Sequence, residues 1–253
     1  MTPRTDQRAE DAIRPTTITI GVNRFAEGSA LIKTGETHVI CTASLEDRVP
    51  PFLVGQKKGW VTAEYGMLPR ATPTRTQREA SRGRPSGRTA EIQRLIGRAL
   101  RSVVDMTSFG DRTLWIDCDV LQADGGTRCA SITAAWVALA HAFSTMKKRG
   151  DTLLRPPLTG QVAAVSVGIV EGRPLLDLCY AEDSTAGVDM NVVRTEARRY
   201  IELQGTAEST PFSREQMDRM LVLADTGIDR LLAIQRETLG DALAGLVQTP
   251  EMR

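Results

Sequence analysis

The chain has 253 residues, enough for one large or two small globular domains with a substantial core. Hydrophobic residues make up 41% and charged residues 25%, and the formal net charge of +1 by itself indicates nothing about nucleic acid. The polar N-terminus contains no secretory signal, and no window approaches the run of about 18 apolar residues that a membrane helix needs. We therefore expect a soluble cytoplasmic protein without a membrane partner.

Cysteine and histidine usage argues against a metal site built on these residue types. The chain has only two histidines, too few for a histidine-rich zinc site. Its cysteines form no C-x-x-C pair, and we expect them to be buried free thiols in a reducing cytoplasm. They are Cys41, Cys118, Cys129 and Cys179.

The first half of the sequence predicts strands followed by two helices. Alternation of apolar and polar residues predicts strands over residues 17–22, 30–33, 37–43, 59–65 and 114–121. Apolar residues at helical spacing predict a helix from Glu91 to Val104. The preceding segment has prolines, glycines and no apolar periodicity, and we expect a long loop there. A second helix, made mostly of small residues, is predicted from about residue 130 to residue 149.

The second half repeats the pattern after a predicted linker at residues 151–157. The predicted strands cover residues 161–170, 175–180, 188–195 and 200–203. A long helix is predicted from Ser213 onward. The order of elements indicates an α+β fold in which a sheet-plus-helix layer occurs twice. We place the boundary near residue 155, with one module at residues 1–155 and the other at residues 156–253.

A glycine turn, Ala123 to Arg128, lies between a predicted strand and a predicted helix. The first N–H groups of a helix have no partner inside it and carry partial positive charge, so a phosphate could bind there. Arg128 adds a fork of donors suited to phosphate oxygens. The turn has neither a Walker lysine nor the spaced glycines of a dinucleotide site. Taken alone, an ordinary strand-to-helix connection explains it at least as well.

An arginine-rich segment precedes the first predicted helix, with Glu79 as its only acid. Its arginines are Arg70, Arg75, Arg78, Arg82, Arg84 and Arg88. Arginine forms bidentate contacts with phosphate, and spaced arginines suit an RNA backbone. A solvated surface segment is an equally good interpretation. Arg88 differs from the others because it lies just before the predicted helix, where it could be held rigidly and point into a site.

Three acids, Glu182, Asp183 and Asp189, surround a predicted turn between two apolar strands. Acids at strand ends often only cap turns. Asp189, however, lies within the strand pattern, where an inward carboxylate costs free energy unless it is paired or binds a metal. A Mg²⁺ site uses one or two carboxylates together with phosphate oxygens and water. The arginines, the glycine turn and the carboxylates together predict a phosphoryl-transfer site.

Four stretches of the sequence closely resemble the bacterial ribonuclease PH family. They are residues 63–70 (AEYGMLPR), 91–98 (EIQRLIGR), 117–128 (DCDVLQADGGTR) and 182–191 (EDSTAGVDMN). The resemblance extends from about residue 3 to residue 245. It implies two β-α-β-α modules, the first like ribosomal protein S5 domain 2, and a homohexameric ring built as a trimer of dimers.

The same resemblance implies an activity and assigns residues to it. The implied enzyme is a nucleotidyltransferase that uses inorganic phosphate to trim the 3′ ends of tRNA precursors, releases nucleoside 5′-diphosphates, and can run in reverse. The family's phosphate site corresponds to Arg88, Gly126, Thr127 and Arg128. Its catalytic, Mg²⁺-associated carboxylates correspond to Asp183 and Asp189. Its tRNA-binding arginines correspond to Arg70, Arg75 and Arg78.

One position departs from the family pattern. Ser209 stands where the family usually has glycine, and a positive φ there would cost about 1 kcal/mol.

Two alternative functions remain. A non-catalytic RNA-binding subunit of an exosome-like ring would be expected to lack some of the arginines and aspartates, all of which this chain keeps. A kinase-like nucleotide-binding enzyme is disfavoured by the missing Walker lysine.

Overall fold

A computed structural model describes residues 4–249, and within them nine strands and four helices. The first half contains β1 (Thr16–Ile20), β2 (Gly28–Thr34), β3 (Thr37–Glu46), β4 (Trp60–Met67), α1 (Gly87–Arg101), β5 (Thr113–Gln122) and α2 (Thr127–Arg149). The second half contains β6 (Val162–Val170), β7 (Arg173–Leu176), α3 (Tyr180–Asp183), β8 (Val188–Thr195), β9 (Tyr200–Ala207) and α4 (Arg214–Leu239). The predicted α+β class is confirmed.

Each half of the chain forms its own sheet. The first has the strand order β1-β2-β3-β5-β4 and is antiparallel except for β4 and β5, which are parallel and are connected through α1. The second has the order β7-β6-β8-β9 and is antiparallel throughout. Since β5 lies between β3 and β4, the turn that follows it emerges from the interior of the first sheet rather than from its edge.

Helix α2 forms the centre of the molecule and contacts β2 and β3 on one side and β6 on the other. It is apolar on nearly all sides, as expected for a helix buried all round. Its small side chains allow close packing: a Cβ at Gly28 would lie 2.0 Å from the carbonyl oxygen of Ala138. The sequence was expected to contain no segment long and apolar enough to cross a membrane, and for α2, one helix of the described chain, that expectation was wrong. By length and composition α2 could cross a membrane, but 89% of its most apolar 18-residue window is buried in the protein.

The structure corrects the predicted start of α1. The helix begins at Gly87, four residues before Glu91. Ser86 caps it, because its hydroxyl oxygen accepts a hydrogen bond from the N–H of Thr89 at 3.2 Å. Arg88 therefore lies in the first helical turn rather than just before the helix.

The predicted strand over residues 175–180 was also partly wrong. Strand β7 ends at Leu176, and the chain then turns at Asp177, whose φ of +54° is unusual for a residue with a side chain. The short helix α3 follows at Tyr180–Asp183. Residues 175–180 are apolar except for Asp177, and such a run alone could not separate the strand from the turn and helix.

Two smaller expectations can also be compared with the structure. The four cysteines are free and buried, as predicted. Ser209 does not have a positive φ, so the strain considered for serine at this position is absent. The module boundary near residue 155 stays a prediction.

Candidate active site

The glycine turn has a backbone that only glycine adopts without strain. Gly125 and Gly126 have φ values of +74° and +67°, in the left-handed region. A Cβ at Gly125 would lie 2.6 Å from the carbonyl oxygen of Leu178, closer than packed atoms allow. The two glycines thus serve two purposes: they turn the chain from β5 into α2, and they bring the turn against the loop that leads into α3.

Helix α2 begins at Thr127, and its first N–H groups face the end of the turn. The hydroxyl groups of Thr127 and Tyr65 are 3.0 Å apart and share a hydrogen bond. Tyr65 is buried in β4, so the contact fixes the first residue of α2 against the first sheet. The helix end is therefore held firmly in place, and anion binding by its N–H groups stays a prediction.

Arg128 is held in place by two side chains from different halves of the protein. Its guanidinium donates a hydrogen bond to the side-chain oxygen of Gln204 on β9 and lies 3.7 Å from the carboxylate of Glu91 on α1. Gln204 in turn donates to Glu91 at 2.5 Å. With only 13% of its side chain exposed, Arg128 is preorganised to present its remaining donors.

Two carboxylates face these cations from the second half of the chain. Asp183 ends α3 and Asp189 is the second residue of β8, and both are half-buried. Burial, followed by repulsion from Asp183, raises the pKa of Asp189 to about 6 against the opposing effect of Arg128 and Arg88. Burial likewise raises the pKa of Asp183, although Arg88, Arg128 and Arg14 lower it. Ionisation of each carboxylate is therefore unfavourable in the free protein compared with ionisation in water.

These groups line one cleft of about 660 Å³ between the two sheets. Every residue predicted for phosphate and catalysis contributes to its walls. They are Arg88, Gly126, Thr127, Arg128, Asp183 and Asp189. Two arginines, a helix N-terminus and a pair of carboxylates around one space can bind a phosphate group and act on a neighbouring phosphoryl centre.

The three arginines predicted to bind tRNA are not part of that cleft wall. Arg70, Arg75 and Arg78 are exposed in the segment between β4 and α1. The segment itself reaches the cleft through smaller side chains, including Thr72, Thr74 and Thr76. Its base is attached to the first sheet, because the N–H of Ala123 donates to the carbonyl oxygen of Ala71 at 2.8 Å. The arginines therefore lie on a surface that adjoins the cleft.

The sequence did not predict Arg14, which supports the glycine turn through hydrogen bonds. Arg14 donates to the backbone carbonyl oxygens of Asp124 and Gly125 and to the carboxylate of Asp177. It lies 163 positions before Asp177 in the chain, and no local pattern could reveal the pair.

Asn191 was also missed, although a signal for it existed. Its side-chain amide donates to the carboxylate of Asp189 at 3.5 Å, and its own oxygen accepts from the thiol of Cys129 at 3.2 Å. Residues two apart in a strand share a face, so an amide two positions after a candidate catalytic aspartate could have been predicted as its neighbour.

Comparisons with known proteins identify relatives of this chain. Family models described as "3' exoribonuclease family, domain 1" and "3' exoribonuclease family, domain 2" match residues 12–144 and 160–227. Ribonuclease PH from Solibacter usitatus is 59% identical over 236 residues, which cover 93% of this chain and 99% of the relative. Ribonuclease PH from Syntrophomonas wolfei is 56% identical over 239 residues, which cover 94% of this chain and 99% of the relative.

Solved structures share the fold. Rrp46 from rice (Oryza sativa) is 20% identical, with a TM-score of 0.75, and the match covers 93% of this chain and all of that one. A chain of the Archaeoglobus fulgidus exosome with RNA bound to the active site is 23% identical, with a TM-score of 0.76, covering 90% and 91%. At such identities these likenesses show the fold alone.

The family models and the full-length relatives define an enzyme of the phosphoryl-transfer class that acts at RNA 3′ ends. The chain belongs to the 3′ exoribonuclease family, and its full-length relatives in that family are ribonuclease PH enzymes. The predicted family, its fold and a phosphorolytic 3′-to-5′ exoribonuclease activity are confirmed. The alternative of a non-catalytic ring subunit is less well supported, because the relatives that are 56–59% identical over nearly the whole chain are ribonuclease PH enzymes.

Proposed function

We propose that this chain trims the 3′ ends of tRNA precursors, with inorganic phosphate as the attacking group. The observation that carries the proposal is the convergence of Arg88, Arg128 and the α2 N-terminus on one side of a cleft with Asp183 and Asp189 in the same walls. A cluster of fixed cations and N–H groups suits a small dianion, and free phosphate is the co-substrate that phosphorolysis requires.

The phosphate would bind between the two arginines at the end of the glycine turn. Gly126 and Thr127 offer backbone N–H groups there. Because Arg128 is already held by Gln204 and Glu91, little side-chain freedom is lost on binding. Arg88 is exposed and lies on the first turn of α1, so it can close onto the phosphate from the solvent side.

The reaction then exchanges one P–O bond for another. An oxygen of hydrogen phosphate attacks the last phosphodiester phosphorus of the RNA, and the bond to the 3′ oxygen of the preceding ribose breaks. The proton of hydrogen phosphate ends on that 3′ oxygen, so a shortened RNA with a free 3′ hydroxyl and a nucleoside 5′-diphosphate leave. Arg88 and Arg128 stabilise the negative charge that accumulates on the equatorial oxygens.

The carboxylate pair fits Mg²⁺. Burial raises the pKa of both Asp183 and Asp189, and repulsion from Asp183 further raises that of Asp189, so a cation bound between them would favour the ionised forms. Among the described residues no group of three or more His, Cys, Asp or Glu side chains could hold a metal. Mg²⁺ typically takes one or two carboxylates and completes its shell with water and phosphate oxygens. Bound there, Mg²⁺ would supply charge stabilisation at the reacting phosphoryl group.

Arg70, Arg75 and Arg78 would bind the body of the tRNA outside the cleft. Their exposure leaves their donors available to backbone phosphates, and the contacts would be sequence-independent. We further propose a homohexameric, cytoplasmic ring, in which several such segments could engage one substrate. The tandem modules at residues 1–155 and 156–253 would each contribute one wall of every active site.

The proposal is tested with RNA labelled in its 3′-terminal nucleotide, incubated with Mg²⁺ with and without phosphate. Label should appear as nucleoside diphosphate only when phosphate is present. Arg88→Ala and Arg128→Ala should remove most activity with an unchanged circular dichroism spectrum. Arg94→Ala, on the exposed side of α1 and outside the cleft, is the matched control. Release of nucleoside monophosphate without phosphate would rule out phosphorolysis.

A further inference from the structure

The cleft has an apolar part that phosphate chemistry does not use. Of the large hydrophobic side chains exposed in the described chain, two line the cleft: Tyr180, which is 60% exposed, and Met67, which is 37% exposed. The rest of the wall is largely charged or polar. Apolar side chains left uncovered in an otherwise polar cleft indicate that the ligand itself brings an apolar surface.

Tyr180 is held by its backbone while its ring stays free. Its N–H donates to the carboxylate of Asp124 at 3.0 Å. A Cβ at Gly125 would lie 3.0 Å from this same nitrogen, so the start of α3 is packed directly against the glycine turn. The position of Tyr180 is therefore fixed relative to the proposed phosphate site, and a ring presented in this way loses little entropy on binding.

Tyr180 is also next to the proposed catalytic carboxylate. It is the first residue of α3 and Asp183 is the last, three positions later. Residues three apart on a helix share a face, with Cβ atoms about 5–6 Å apart. A substrate phosphodiester beside Asp183 would place its two flanking nucleotides within reach of the Tyr180 ring.

We propose that Tyr180 is a stacking platform for a base of one of the two nucleotides that flank the scissile bond. This inference rests on the proposed RNA substrate. An aromatic face stacks on every base, so the contact would grip successive 3′ ends regardless of sequence, as stepwise trimming requires. Met67 extends the apolar surface from the end of β4.

The test compares Tyr180→Ala, Tyr180→Leu and Tyr180→Phe in the full chain. Binding is measured without phosphate, on single-stranded RNA carrying 2-aminopurine at the terminal or the penultimate position, and steady-state rates are measured with phosphate. Phe25→Ala is the control, because Phe25 is an exposed aromatic residue outside the cleft.

We expect Tyr180→Ala and Tyr180→Leu to raise KM for RNA about tenfold or more while KM for phosphate stays within about twofold. Wild type and Tyr180→Phe should quench 2-aminopurine at one of the two positions, and the alanine variant should not. An unchanged KM for RNA in Tyr180→Ala would overturn the inference. So would an equal loss in Tyr180→Phe, which would assign the effect to the hydroxyl group. A changed oligomeric mass with unchanged RNA binding would instead assign the ring to a subunit contact. Failure of the wild-type chain to release nucleoside diphosphate would refute the proposed function and not this stacking role.

Discussion

Arg14 and Asp177 form a buried bidentate ion pair, with guanidinium-to-carboxylate distances of 2.7 and 3.1 Å. The backbone N–H of Arg14 also donates to the same carboxylate at 2.7 Å. The same guanidinium also donates to the carbonyl oxygens of Asp124 and Gly125. One side chain thus joins the glycine turn to the loop that leads to Asp183, and the relative position of the two halves of the candidate site depends on it.

Removing one partner of this pair should destabilise the fold strongly. Arg14→Met would remove the bidentate partner of the buried Asp177 carboxylate and leave it only Arg8, 3.5 Å away, as a cation, at a cost of about 3–5 kcal/mol in the free energy of unfolding. Urea-induced unfolding followed by circular dichroism measures it. The control is Arg219→Met, since Arg219 pairs with Glu215 at 2.8 Å on the exposed surface of α4 and should contribute less than about 1 kcal/mol. Equal losses in the two variants would contradict the importance assigned to Arg14.

The local patterns in the sequence were sufficient for most of the fold. Strands β1 to β6 and the helices α2 and α4 lie where apolar periodicity predicted them, because each packs a regular face or is buried throughout. The prediction failed between Leu176 and Asp183, where a non-glycine residue, Asp177, takes a left-handed backbone. That conformation is imposed by long-range contacts with Arg14 and Ser166 and leaves no local signature.

The candidate site was predictable for a different reason. Three of its residues are unusual for the element that contains them. Gly126 takes a left-handed turn, Arg128 places a cation at a helix N-terminus, and Asp189 places an acid in an apolar strand. Such departures can be read from the sequence. The two side chains that fix Arg128 are ordinary for their elements: Gln204 lies on β9 and Glu91 on α1. Only the tertiary structure shows that they contact Arg128.

A single methyl group at Gly125 should disrupt the site. Gly125→Ala forces a left-handed φ on alanine and places its Cβ 2.6 Å from a backbone oxygen, so we expect a loss above about 2 kcal/mol together with most of the activity. Gly172→Ala is matched in φ, at +78°, but its Cβ would meet nothing within 4 Å. That variant should lose about 1 kcal/mol and remain active. Thermal melts and phosphorolysis rates distinguish the two, and similar behaviour of both would refute the close-packing explanation.

Neutralising Asp189 should stabilise the metal-free protein while removing catalysis. Its pKa of about 6 in the folded state exceeds the ordinary value of 3.8, so the ionised carboxylate destabilises the fold above pH 6 and the cost disappears as the pH falls toward 4. Because the side chain is only partly buried, Asp189→Asn should gain about 1 kcal/mol at pH 7.5, or roughly 2–4 °C in Tm. Melts with a chelator at pH 7.5 and pH 4.5 measure the difference, which should shrink at the lower pH. A destabilised variant at pH 7.5 would show that Asp189 is paired in the fold.

Restraint of Arg128 should contribute to phosphate binding in addition to its charge. Gln204→Leu removes the amide that joins Arg128 to Glu91, which leaves the cation in place but restrained less, by Glu91 at 3.7 Å. We expect KM for phosphate to rise severalfold with a smaller change in kcat, whereas Arg128→Ala should lower kcat/KM about a hundredfold or more. Initial rates over a range of phosphate concentrations give both values. If Gln204→Leu matched wild type, the preorganisation of Arg128 would have no kinetic role.

The exposed arginines should affect the binding of long substrates and not the phosphorolysis reaction itself. The double variant Arg75→Ala with Arg78→Ala removes two cations from the segment beside the cleft, so binding of a tRNA precursor should weaken and its salt dependence should become shallower. On B-form DNA each lost phosphate contact lowers such a slope by about 0.9, and about 0.7 on single strands, so a reduction of roughly one to two is expected here. Phosphorolysis of a short single-stranded RNA confined to the cleft should keep its KM for phosphate, and Arg219→Ala on α4 controls for the loss of positive charge. Affinities measured at several salt concentrations decide the matter: an unchanged slope would place tRNA binding elsewhere on the protein.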